Sequence, residues 1–185
     1  MFERFTEAAR AVVKQAVLHA ERERAEQVDE GHLLLALLER RGSRGAFALD
    51  ALGLADEGRR AEIGRAVAVA RRRAGLSRAD AEALAGFGID VDEIVARVEE
   101  VHGVGALAGG RRLGGRRPFA REAKKVLEGS LRVALSHGER SIGDEHLLLA
   151  MVSRDGISAE VLEERGVTAG AVERVLYGDA GRAAG

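Results

Sequence analysis

Cysteine is absent from this 185-residue chain, which excludes disulfides, thiol nucleophiles and thiolate metal sites together. Tryptophan is absent too, proline occurs once, and the aromatics amount to 5 Phe and 1 Tyr. With so few aromatics and an abundance of Ala, Leu, Glu and Arg, an all-α fold is expected. An excess of one charge is also lacking: 29 Lys+Arg against 30 Asp+Glu leave −1 and a pI of about 6.5, so no global field draws nucleic acid or an anionic membrane. The longest apolar run, Leu33 to Leu38, is far below the ~20 residues of a membrane-spanning helix. The start, MFERFTEAAR, carries charges where a secretory signal needs an apolar core. A soluble, cytoplasmic protein with no nucleic-acid and no membrane partner is the expectation.

The usual constellations of catalysis are missing as well. His19, His32, His102, His137 and His146 never recur at i, i+3 or i+4, and the DEHLLLAM run only mimics the beginning of HExxH, so no zinc-peptidase site is predicted. Neither GxxxxGK[ST] nor GxSxG occurs, which leaves no phosphate loop and no nucleophile elbow. No enzyme, no cofactor and no metal site is expected.

What the chain does have is an internal repeat. Residues 5–42 and 119–156 carry one pattern at a constant offset: Phe5 registers with Phe119, Ala9 with Ala123, Val12 with Val126, Ala20 with Ala134, Val28 with Ile142, and His32-Leu33-Leu34-Leu35-Ala36 with His146-Leu147-Leu148-Leu149-Ala150. Repeats of this kind bury their apolar faces against each other, which predicts one pseudo-twofold domain. Three- and four-residue apolar spacing predicts helices over 4–24, 30–41 and 45–53, and in the second copy over 119–137, 144–154, 158–165 and 168–177. Many of the 24 glycines fall where these should stop, as in RRGSRG and ERGVT. Amphipathic stretches at 61–73, 76–88 and 89–103 read as extra helices extending the first copy, the last of them resembling the closing helix at 167–178. The Gly- and Arg-rich segment 104–117 reads as a flexible tether with solvated charge. The domain reading is thus 1–103 for the first copy with its inserted helices, 104–117 for the linker, 118–178 for the second copy and 179–185 for a tail.

Several positions allow more than one reading. His32 and His146 each precede a Leu-Leu-Leu run, where a histidine in the first helical turn more often bonds a neighbouring backbone group than a ligand. Glu145 either favours a helix N-terminus electrostatically or meets a cationic ligand group, and Gly31 stands in its place in the first copy. Phe5 and Phe119 are expected to wedge the first helix of each copy against the body, whereas Phe2 lies in an exposed N-terminal segment.

MFERFTEAARAVV with VDEGHLLLALLER, and PFAREAKKVLEGSLRVAL with IGDEHLLLAMVSRDG, closely resemble the double-repeat N-terminal domain of bacterial Clp unfoldases, above all the ClpC type, over residues 1–57 and 118–178. The resemblance implies an all-α, pseudo-twofold bundle of two four-helix repeats, here with extra helices between them, that binds substrate peptides and adaptors for a Clp unfoldase. Without an ATPase motif in the chain, it looks like the free-standing Clp N-domain proteins of actinobacteria, an accessory or competitor of a Clp machine. By position, Glu145 corresponds to the glutamate with which such domains recognise phosphoarginine. Met1, Phe2, Val13, Phe119, Lys124 and Glu128 correspond to the surface that takes cyclic peptide antibiotics of the cyclomarin type, so that a decoy conferring self-resistance is the alternative function. A self-assembling protein without a small ligand is the third.

Overall fold

A computed structural model describes residues 2–73, 75–76, 78–104, 106–108 and 117–178. Thr6 starts the first helix by accepting the Ala9 N–H at 3.2 Å, and α1 (Glu7–Arg22) buries Ala9, Val12, Ala16 and Ala20, the stripe its sequence spacing demands. Asp29 caps α2 (Glu30–Leu38), and Ser43 caps the short α3 (Arg44–Leu49). After α3 the chain widens into a π turn, Asp50–Leu54, where Gly53 takes φ +91°, a conformation that favours glycine. Asp56 then caps α4 (Glu57–Arg72), followed by α5 (Arg78–Gly86) and α6 (Val91–His102). The second copy supplies α7 (Arg121–Ser136), α8 (Asp144–Val152), α9 (Ile157–Glu163) and α10 (Ala169–Tyr177). The fold is all-α, and no strand occurs among the described residues.

The two copies interlock. The Thr6 N–H donates to the Ile142 carbonyl at 2.9 Å and the Ile142 N–H to the Arg4 carbonyl at 2.8 Å; symmetrically, the Val28 N–H donates to Pro118 and the Ala120 N–H to Val28, both at 2.9 Å. These two isolated parallel bridges, Phe5 with Ile142 and Val28 with Phe119, pair the very residues that repeat in the sequence. Each copy's first residues are therefore held by the other copy's α1–α2-type loop. Helices cross over as well: α3 packs on α8 and α9 on α2. One hydrophobic core results, with Leu33, Leu34 and Leu37 of the first copy buried together with Leu147, Leu148 and Met151 of the second.

The closing helix of the first copy is α4, which corrects the reading of all of 61–103 as extra helices; the likeness of 89–103 to 167–178 does not give it that place. Helix α4 packs on α2 and α9 as α10 packs on α8 and α3, burying Ile63 and Val67 in the shared core. Its buried Arg60 donates to the carbonyls of Arg40 at 3.1 Å and of Leu38, satisfying the end of α2 as a C-terminal cation does. Only α5 and α6 are additions, and their best-buried apolar residues, Val91 and Val95, stay 8% and 6% exposed and outside the common core. Periodicity marks 89–103 as amphipathic but cannot say which surface it covers. Within the segment read as a tether, Ala106–Ala108 form a 3-10 turn packed on α4 and α6, and Arg117 is buried with its Nε donating to the Ala25 carbonyl at 2.8 Å. Residues 105, 109–116 and the tail 179–185 lie outside the described residues.

Candidate functional site

Each copy presents the N-terminus of its second helix at the junction with the other copy, and both ends are built around the repeated histidine. His146 Nδ1 accepts the Gly143 N–H at 2.8 Å, and His32 Nδ1 accepts the Asp29 N–H at 3.0 Å. Both rings are fully buried. The histidines are thus bonded to backbone groups in the first helical turn.

Around His146 the second copy assembles a polar cage. With Nδ1 accepting, the neutral ring carries its proton on Nε2, which faces the Tyr177 hydroxyl at 3.0 Å; Tyr177 in turn donates to Glu139 Oε1 at 3.2 Å. Burial keeps His146 below its ordinary pKa and, with Glu139 beside it, pushes the Tyr177 phenol up to about 12. The Tyr177 ring stacks on His137 with centroids 3.8 Å apart. Glu145 is only 4% exposed. Its carboxyl is folded back over the helix end so closely that a Cβ on Gly143 would collide with it. Burial and the neighbouring Asp144 raise its pKa to about 7, although Arg44 pulls the other way.

Arg44, from the first copy's α3, fills this cage. Its Nη1 donates to Glu139 Oε1 at 2.9 Å and to Glu145 Oε1 at 3.1 Å, and its guanidinium carbon lies 5.3 Å from the Tyr177 ring centroid. Ser43 beside it donates to Asp144. Ligand atoms of Glu139, Glu145 and His146 come within 4.8 Å of one another, the spacing of a metal triad. Arg44, however, already bridges the two carboxylates, and both His146 nitrogens are engaged. The cationic place is taken by a side chain.

The first copy solves the same helix end differently. Here Asp29 provides the carboxylate, accepting the His32 N–H at 3.0 Å, and Arg71 of α4 donates through Nε to its Oδ2 at 2.8 Å. Arg71 also pairs with Glu23, whose carboxyl lies 3.3 Å from His32 Nε2. Burial opposes charge on these groups, but the bonds among them win: Asp29 is lowered, Glu23 falls to about 2 and His32 is raised. A Cβ at Gly31 would meet Val67 Cγ1 at 2.8 Å and Arg71 Cδ at 3.0 Å. The two copies therefore exchange places: carboxylate at 29 and glycine at 31, glycine at 143 and carboxylate at 145. Glycine stands at 31 because the long α4 covers it. Restoring glutamate by Gly31→Glu should lower stability by about 1–3 kcal/mol, the typical cost of overpacking, read as a reduced urea midpoint at unchanged slope.

Beside this end, Glu30, Val67, Arg71, Glu122 and Ile157 line a groove of about 510 Å³. Glu30 accepts the Ser158 N–H at 3.2 Å and faces Arg154 at 3.4 Å.

Of the positions expected to take a cyclic peptide, Phe119 and Val13 pack half-buried against the core, while Lys124 and Glu128 are exposed one turn apart on α7. No hydrogen bond or ion pair joins any two of them among the described residues. Phe2 opens a short 3-10 turn, Phe2–Arg4; its side chain and all of Met1 lie outside what the structure describes. The sequence singles out Glu145 and His146 as positions with two readings and does not mark Arg44, Glu139, Tyr177, Asp29 or Arg71. Tyr177 had a signal, as the sole tyrosine. Arg44 had none, since its partner Glu145 is 101 residues away.

The described residues form an all-helical bundle of two copies related by a pseudo-twofold, with a caged helix end in each. The chain belongs to the Clp repeat (R) N-terminal domain family, which it matches over residues 4–78 and 118–184. It is 28% identical over 169 residues, 91% of its own length, to the negative regulator of genetic competence ClpC/MecB of Bacillus subtilis (strain 168), and spans 16% of that protein. Its fold is similar to the crystal structure of the N-terminal domain of the caseinolytic protease associated chaperone ClpD from Arabidopsis thaliana, with a TM-score of 0.52 at 19% identity, covering 95% of this chain and 94% of that one.

Proposed function

We propose that this chain is a non-enzymatic module that binds peptides and proteins in association with a Clp unfoldase, as an accessory or a competitor for substrates and adaptors. The observation that carries the reading is the cage at the start of α8: two carboxylates, Glu139 and Glu145, and the face of Tyr177 surround a guanidinium. Paired carboxylates match the donor fork of arginine, and an aromatic face adds cation–π attraction. This is the chemistry for holding an arginine-type group, phosphoarginine included. Recognition is assigned to the second copy only, because α4 covers Gly31 in the first.

Isothermal titration with phosphoarginine, and separately with a ClpC unfoldase and its adaptor, tests the reading. Glu145→Gln should weaken phosphoarginine binding about tenfold or more, the worth of a hydrogen bond to a charged group, with one site per chain. Absence of binding to all three would remove the proposal.

A further inference from the structure

The cage at the start of α8 is complete within the second copy, yet its occupant comes from the first. Glu139, Glu145, His146 and Tyr177 belong to α8, α10 and the loop before α8, whereas Arg44 is delivered by the six-residue α3. The Arg44 side chain is 48% exposed and Glu145 only 5%. Glu145 and His146 are buried and Glu139 and Tyr177 partly so, while the guanidinium among them stays half in solvent, as a displaceable ligand would. Ser43, immediately before Arg44, bonds α3 to Asp144 through a contact that does not involve the Arg44 side chain, so α3 keeps this hold when Arg44 leaves. In the first copy the cation differs in kind: Arg71 is 12% exposed and bonded to Asp29 and Glu23.

We propose that Arg44 is an internal competitor, an arginine bound in cis that occupies the second-copy cage until an arginine-type side chain of a partner displaces it. This inference rests on the reading of that cage as the recognition site. Displacement means that apparent affinity is reduced by the fraction of molecules in which Arg44 is seated. A partner must therefore out-compete a tethered arginine, which sets an affinity threshold that single exposed arginines do not cross.

Titration of phosphoarginine into the wild type and Arg44→Gln tests this. Arg44→Gln should bind about tenfold tighter or better, and the gain should vanish in the double variant with Glu145→Gln. On the wild type itself, the Arg44 Nε–Hε resonance should move toward its solvent-exposed position as phosphoarginine is added, a readout that needs no variant to fold. Equal affinity of wild type and Arg44→Gln, or binding that leaves the Arg44 resonance in place, overturns the cis competitor while leaving the recognition reading standing. Binding to neither protein overturns both.

Discussion

Leu148→Ala is expected to destabilise the protein by about 2–5 kcal/mol, and Leu34→Ala by a similar amount, each lowering one and the same unfolding transition. Both side chains are fully buried, so truncation removes the transfer energy of the lost methyl groups and leaves a cavity that the surrounding helices close only in part. What makes the pair informative is the location. Leu34 lies on α2 and Leu148 on α8, and the core they share draws on both copies, with α2 touching α7, α8 and α9. Cutting either leucine should therefore loosen the whole bundle. Calorimetry should show a single peak displaced by on the order of 10 °C in both variants. Two separable peaks, each sensitive to one substitution, would mean that the copies fold independently and that the crossed bridges contribute little.

The second large effect is on the pH dependence of stability. Burial raises Glu145 from its ordinary 4.5 to about 7, so between these values the folded protein holds a proton that the unfolded chain has released. Since ∂ΔG/∂pH follows the protons bound in the unfolded minus the folded state, this group makes stability fall as pH climbs from about 4.5 to about 7. At 1.36 kcal/mol per pKa unit the full excursion is about 3 kcal/mol. Glu145→Gln removes the titration but keeps the shape. The variant should gain on the wild type by up to that amount between pH 5 and pH 8, read as the difference in urea unfolding free energy. The lowered Asp29 and Glu23 and the raised His32 titrate in both proteins and cancel in this difference. A difference that does not change with pH would mean that Arg44 compensates the buried carboxylate in full.

The repeat explains why so much of the fold was legible. Helix periods and caps are local: Thr6, Asp29 and Ser43 each sit one residue before the helix they start. Phe5, Val28, Phe119 and Ile142 recur because they meet one another across the pseudo-twofold, so a register found in the sequence alone pointed to a genuine contact. The candidate site was legible by half. Glu145 and His146 stand within the repeated motif, but the residues that give Glu145 its character come from elsewhere: Arg44 from another helix, Glu139 from a loop and Tyr177 from α10.

By itself, the sequence determined the helical class, the two copies in register and the histidine in the first turn of α2 and α8, because each depends on residues within a few positions or on exact repetition. Only the tertiary structure decided that α4 closes the first copy, that α5 and α6 lie outside the common core, that Gly31 is required by the covering Val67 and Arg71, and that Arg44 occupies the cage around Glu145. Burial and charge pairing in a folded chain join residues as far apart as Arg44 and Glu145, and such pairs leave no periodicity to read.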